Sequence, residues 1–211
     1  MNVVSKQPWG VVTLDMTLGK VLVRQDWEYT WTLHAPSLSA WTYAERKAFH
    51  DTIDRQIWGV WSNRVRFTVA GSTTFSKHHA KTGILANFDI RWVTTTGHWK
   101  VNVRKIAKGA SHTSTVTFAT KSIQLDSEDV VPHGVSNDAK ITAKDFLTAP
   151  HEFGHTLKTD DEYKASSPYL ADTKSIMNIG RELRTRHLKL LTDTLNKLLP
   201  GVTFTPPAVI P

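Results

Sequence analysis

His151-Glu152-Phe153-Gly154-His155 puts two imidazoles four residues apart, with a carboxylate next to the first. On a helix, side chains at i and i+4 leave the same face, so the two rings converge on one point. Neutral imidazoles suit a zinc ion, and Glu152 is placed to take a proton from a water on that ion. The chemistry this spacing allows is metal-assisted hydrolysis, with Zn2+ as cofactor. The competing reading is two histidines on a helix flank with ordinary hydrogen bonds.

Such a pair must sit on a helix. Thr142 to Asp145 reads as an N-cap signal. Phe146, Ala149, Phe153 and Leu157 then share one apolar face, so a helix is expected over roughly 142–157. The chain has no cysteine, so thiolate sites and disulfides are excluded. Any metal must be held by His, Asp, Glu or water, and a catalytic zinc keeps three protein ligands and one open position. Asp160-Asp161-Glu162 follows the helix as a source of acidic ligands or, on the plainer reading, a solvated acidic loop.

The elements around this helix can be read from periodicity. Residues 9–16 and 20–33 are rich in Val, Thr, Trp and Tyr and read as strands joined by a turn at Leu18-Gly19. Thr42-Tyr43-Ala44-Glu45 is a capping box. Behind it Phe49, Ile53, Ile57 and Trp61 recur at helical spacing, giving an amphipathic helix over 43–61. Strands are expected at 64–70, 85–94, 98–106 and 113–119, a loop over 126–140, and a last helix over about 180–199. Four prolines mark a loosely packed tail from Pro200. His78 and His79 read as surface residues, and Trp27, Trp31, Trp58 and Trp61 as core. The order is an α+β arrangement in a single domain over 1–211. About 1–140 is its sheet-rich part, and about 141–200 holds the active-site helix and the last helix.

From His151 onward the sequence resembles the metzincin zinc metallopeptidases. Their pattern is HExxHxxGxxH, with Asp replacing the third His in some members. Asp161 stands at that position, six residues after His155, and the resemblance implies that it is the third metal ligand, ahead of Asp160 and Glu162. Ser175-Ile176-Met177-Asn178 resembles the family's Met-turn, which implies that Met177 lies under the metal; a lone methionine is otherwise core filler. The implied fold is a twisted mixed sheet with a long N-terminal helix, an active-site helix and a C-terminal helix after the Met-turn. The implied activity is endopeptidase, acting on a peptide or protein substrate, with Glu152 as general base.

Two departures stand out. The family's glycine at the helix exit is Lys158 here, for which a left-handed backbone costs about 1 kcal/mol or more, so the turn is free to differ. Ile179 stands where some members carry an oxyanion-stabilising Tyr, which leaves Tyr163, Tyr169 and His187 as candidates for that contact. His187 also falls on the apolar stripe of the last helix, where a satisfied core histidine is the plainer reading. Thr113 to Phe118 alternates in a way that suits either an edge strand pairing with a peptide or an inner strand.

The chain of 211 residues carries a formal charge of +7, without a Lys/Arg run dense enough for a nucleic-acid tract. No apolar run is long enough to span a bilayer, and Met1 to Leu22 does not read as a signal peptide. A soluble monomer is expected, with export or delivery by a non-classical route favoured over a cytoplasmic location. The chain loosely resembles short zincin domains, without signal peptides, among bacterial proteins delivered by secretion machines. Two other functions fit the residues: a catalytically silent metal-binding scaffold or cargo protein, and a basic module binding an anionic polymer.

Overall fold

The computed structural model describes residues 1–206. The described fold is α+β, built on a nine-stranded mixed sheet. Its spine is β3 (Lys20–Leu33), a 14-residue strand long enough to serve two neighbours along one edge. The first half of that edge pairs antiparallel with β2 (Gly10–Asp15), from Val11↔Arg24 to Asp15↔Lys20. The second half pairs in parallel with β6 (Trp99–Lys105), from Trp27↔Trp99 to Leu33↔Lys105. On the other edge, β5 (Ile84–Val93) runs parallel from Lys20↔Leu85 to Glu28↔Val93.

Antiparallel strands close both margins. β1 (Asn2–Gln7) pairs with β2. β4 (Val65–Gly71) and β11 (Val202–Thr205) extend the β5 side. Beyond β6 come β8 (Ser122–Asp126), parallel to it, and then β7 (Thr115–Thr117), antiparallel and last in the sheet. Alternating burial along β2 and β5 follows the two-residue period of strands with one face in the core. The β2–β3 turn is tied by the Asp15 carboxylate, whose Oδ1 accepts from the Thr17 and Leu18 N–H groups at 2.9 Å each. Gly19 takes φ +60° there, and the His79 ring fills the space a Cβ would need.

α1 (Tyr43–Trp61) starts where the capping box predicts. The Thr42 N–H donates to Glu45 Oε2 at 2.7 Å, and the Glu45 N–H donates to Thr42 Oγ1 at 3.2 Å. Its buried stripe is Phe49, Ile53, Ile57 and Trp61; removing each from water contributes roughly 2 kcal/mol. α1 packs on β5 and on α3 (Thr148–Thr156), the helix of the HExxH motif. Trp61 makes the α1–α3 contact directional, donating Nε1–H to the Pro150 carbonyl at 2.9 Å. At the other end of α3, buried Gln25 on β3 donates Nε2–H to Thr156 Oγ1 at 2.8 Å. The motif helix is thus fixed at both ends by buried polar bonds from separate elements.

Several expectations need correction. The helix expected over 142–157 begins only at Thr148, because 142–146 is strand β10, paired with β9 (His133–Ser136). Pro150 explains the start: in a helix begun at 142 it would be interior, without an N–H and clashing with the preceding turn, whereas in the first turn it is tolerated. The stretch 126–140 is therefore not all loop. The last helix, expected from 180, is α4 (Lys189–Leu198) after a 3-10 turn at Thr185–Leu188. Residues 175–182 instead fold back on themselves, with the Ile176 N–H donating to the Glu182 carbonyl at 2.8 Å. Gly180 has the Lys174 carbonyl where a Cβ would stand. Leu183 is buried from this loop, not from a helix.

A short helix α2 (Thr74–His79) went unpredicted. It buries His79, while His78 is exposed. Of the four tryptophans expected in the core, Trp27 and Trp61 are fully buried, Trp31 is half-buried and Trp58 is exposed. In the tail, Val202–Thr205 is an ordered strand, not loosely packed chain; 207–211 lies outside the described residues. Among the described residues, no helix is long and apolar enough to cross a membrane.

Candidate metal centre

α3 presents His151 and His155 one turn apart, with ring centroids 5.0 Å from each other. Each ring is oriented from behind by a backbone carbonyl. His151 Nδ1 lies 2.8 Å from the Ile176 carbonyl, and His155 Nδ1 lies 2.8 Å from the Thr159 carbonyl. A carbonyl only accepts, so Nδ1 of each ring carries a proton, and Nε2 is the nitrogen left to face a metal. Both Nε2 atoms face one oxygen, Asp161 Oδ1, at 3.3 Å from His151 and 3.1 Å from His155.

The local chain explains how Asp161 arrives there. α3 ends in a reversal at Lys158, which takes the left-handed φ of +64°. The Lys158 N–H donates to the His155 carbonyl at 3.0 Å, and the Thr159 N–H donates to the Gly154 carbonyl at 3.4 Å. This is the two-bond Schellman closure, normally made with glycine at that position. A lysine here adopts the conformation that the resemblance assigns to glycine. The reversal also delivers the Thr159 carbonyl to His155.

The three neighbouring acids then diverge. Asp160 is exposed. Asp161 meets the histidines, and its second oxygen is 2.6 Å from Lys164 Nζ. Glu162 is buried and committed elsewhere, taking both Arg186 donors at 2.6 and 2.8 Å, with His187 Nε2 at 3.1 Å. His151, His155 and Asp161 offer one ligand atom each, all within 4.8 Å of one another, and such a group could hold a metal ion.

Glu152 is 7% exposed, and its Oε2 is buried with no hydrogen-bond partner. An unpartnered buried carboxylate oxygen costs stability unless something polar meets it; a water carried by a bound ion would do so. Burial pushes the Glu152 carboxyl up, an effect partly offset by His151 and His155. Burial would also raise the Asp161 carboxyl, but hydrogen bonds from His151, His155 and Lys164 outweigh it and hold that group well below the usual carboxylate range. Burial opposes protonation of His155, yet Asp161 and Glu152 together raise it above an ordinary histidine.

The site opens into a cleft of about 580 Å³, lined by His151, Glu152 and Tyr163 among others. The Tyr163 ring lies 5.8 Å from that of His151, and burial followed by the Asp161 charge raises its phenol. His112 and His133 line the same cleft. His187 does not: it is buried between Glu162 and Ser175, within a network that also includes Arg186 and Asp172. Tyr169 lies away from the cleft with the Arg186 guanidinium 4.0 Å over its ring. Met177 is fully buried beneath α3 at Gly154, where its Sδ accepts from Thr159 Oγ1 at 3.3 Å.

Several contributors escaped sequence reasoning. The carbonyls of Ile176 and Thr159 carry no side-chain signature. Gly154 is legible only as a glycine inside a helix, a choice that costs about 1 kcal/mol relative to alanine and so asks for a packing reason. Lys164 is three residues from Asp161, a spacing that no helical pattern marks.

No family model matches this chain, and neither does any curated protein or solved structure.

Proposed function

We propose that this chain is a zinc-dependent endopeptidase of the metzincin type. The observation that carries the reading is Glu152 Oε2, buried without a partner beside His151, His155 and Asp161. A purely structural metal site has no use for a desolvated carboxylate at its margin. Nε2 of each imidazole, once deprotonated, and the Asp161 carboxylate would hold the ion. When bound, zinc would acidify a water and polarise the scissile carbonyl.

The chain's own residues would do the rest. The Ile176 and Thr159 carbonyls keep both imidazoles in the metal-binding tautomer. Glu152 accepts the proton of the attacking water and returns it to the leaving amine, a role its burial suits because a raised carboxyl is a better base. Tyr163, on the cleft wall, is the candidate donor to the developing oxyanion. β7 ends the sheet, and no strand pairs with its outer edge among the described residues, so an extended peptide could add there as a further strand. The ordinary-inner-strand alternative has no support.

The test is zinc content per chain together with digestion of a peptide library. Near one zinc is expected, lost in His155→Ala and kept in Glu152→Gln, with hydrolysis in Glu152→Gln reduced by roughly 10²–10⁴-fold. Zinc without hydrolysis in the intact protein would leave the silent-scaffold reading, and no zinc in metal-replete protein would defeat both.

A further inference from the structure

Leu147, the residue just before α3, separates two cavities. Its neighbours Phe146 and Thr148 line the metal cleft, while Leu147 itself lines a second cavity of about 780 Å³. No part of the proposed hydrolysis uses this second space. Its volume falls within the range of small-molecule sites.

Its walls are apolar at Val60, Leu147 and Leu183 and carry four arginines. Arg55, Arg64, Arg181 and Arg184 all line it, against a single carboxylate, Glu182. The four guanidiniums are not equally free. Arg184 is committed, with two bonds to Asp172 at 2.7 Å each and one to Glu182 at 3.0 Å. Arg181 holds the Asp145 carbonyl through Nε at 2.8 Å and its exposed carboxylate at 3.1 Å. Arg55 reaches only its own helix, at the Asp51 carbonyl and Thr52 Oγ1, 3.1 Å each. Arg64 makes no hydrogen bond or ion pair among the described residues. Two guanidiniums without a direct ion pair therefore share a concave, partly apolar space.

Planar guanidinium forks match phosphoryl oxygens two at a time, and do so best where low-dielectric walls limit screening. We infer that this cavity is a binding site for a small phosphoryl polyanion, with Arg55 and Arg64 as its principal contacts. The site stands apart from the metal centre yet adjoins its support. The Glu182 carbonyl on its wall accepts from the Ile176 N–H at 2.8 Å, and the Ile176 carbonyl orients His151.

The test is calorimetric titration of the full chain with inorganic pyrophosphate at low salt, with citrate as a parallel ligand. Saturable one-to-one binding of pyrophosphate is expected, tighter than citrate and weakened by added salt. Arg55→Glu/Arg64→Glu should weaken it at least ~10-fold, a shift fitting the loss of two charge-assisted contacts. A charge-matched control, Lys6→Glu/Lys77→Glu, lies outside the cavity and should leave it within about twofold. Arg64→Gln, together with a thermal melt of each variant, separates lost binding from lost folding. No saturable binding, or equal weakening in the control pair, would overturn the inference, and tighter binding of citrate would overturn the phosphoryl assignment. Repeating the titration after chelation makes the outcome independent of zinc and of hydrolysis, so failure of the peptidase reading leaves this test intact.

Discussion

Met177 lies so close beneath Gly154 that its Sδ occupies the space a Cβ on that glycine would need. The contact joins the centre of the HExxH helix to the loop that orients His151, since the Ile176 carbonyl next to Met177 accepts from His151 Nδ1. Gly154→Ala should therefore act on the site as well as on the core. Overpacking of this kind costs about 1–3 kcal/mol, and zinc affinity should fall with it. Adding Met177→Ala should relieve the clash, so the two substitutions will be non-additive. Denaturant melts of the four-member cycle measure this, and simple additivity would show that the contact carries no energy.

Lys158 offers a test in the opposite direction. Its left-handed φ of +64° is strained for a lysine and free for a glycine. Lys158→Gly should stabilise the fold by about 1 kcal/mol, seen as a melting temperature higher by about 2–4 °C. Zinc content should not change, because the Schellman bonds and the Thr159 carbonyl are backbone groups. A lower melting temperature would mean that the Lys158 side chain, whose Nζ lies 6.0 Å over the Phe118 ring, contributes more than the strain costs.

Glu162 is the third case. It is buried, and Arg186 and His187 reach it from a segment more than twenty residues away. The Asn178 side chain also holds its carbonyl, donating at 3.2 Å. Glu162→Ala leaves buried His187 without its carboxylate partner while Arg186 keeps Asp172 at 2.7 Å, and should cost about 1–3 kcal/mol. Because the next residue back is Asp161, weaker zinc retention against a chelator should accompany the lower stability. Asp160→Ala, on an exposed neighbour, should change neither by more than about 0.5 kcal/mol.

Asp129 predicts a pH dependence. It is buried on the cleft wall, where burial first and the neighbouring Asp126 second push its carboxyl up to about 7. The folded state thus binds a proton that the unfolded chain, at the ordinary 3.8, releases. With the folded pKa raised, this contribution to stability is full below about pH 4 and lost as pH rises through about 7. Asp129→Asn keeps an oxygen for the Ser114 hydroxyl and the Asp126 N–H and removes the titration. At pH 8 the variant should be the more stable by roughly 4 kcal/mol, the gap closing toward pH 4. Parallel curves for the two proteins across that range would refute the assignment.

Local patterns in the chain were sufficient for a good part of this molecule. The capping box at Thr42 and the stripe from Phe49 to Trp61 define α1, because both signals operate within a few residues. The alternation along β2, β3 and β5 is local in the same sense. So is the meeting of His151 with His155, which requires only that the motif be helical. What the sequence alone left open was decided by groups distant along the chain. Pro150 and the pairing of β10 with β9 moved the start of α3, overriding a capping signal at Thr142 that has no helix to cap. Among three consecutive acids, only Asp161 meets the histidines. The reversal at Lys158 sets the direction of the chain, and Arg186 with His187 withdraws Glu162. His187 shares a periodicity with the leucines of α4 but sits in a 3-10 turn against Glu162, because the fold-back at 175–182 consumes the residues a longer helix would have used. Periodicity reports which faces are apolar. Which carboxylate reaches a given point in space depends on backbone reversals and on charges brought together only by the folded chain.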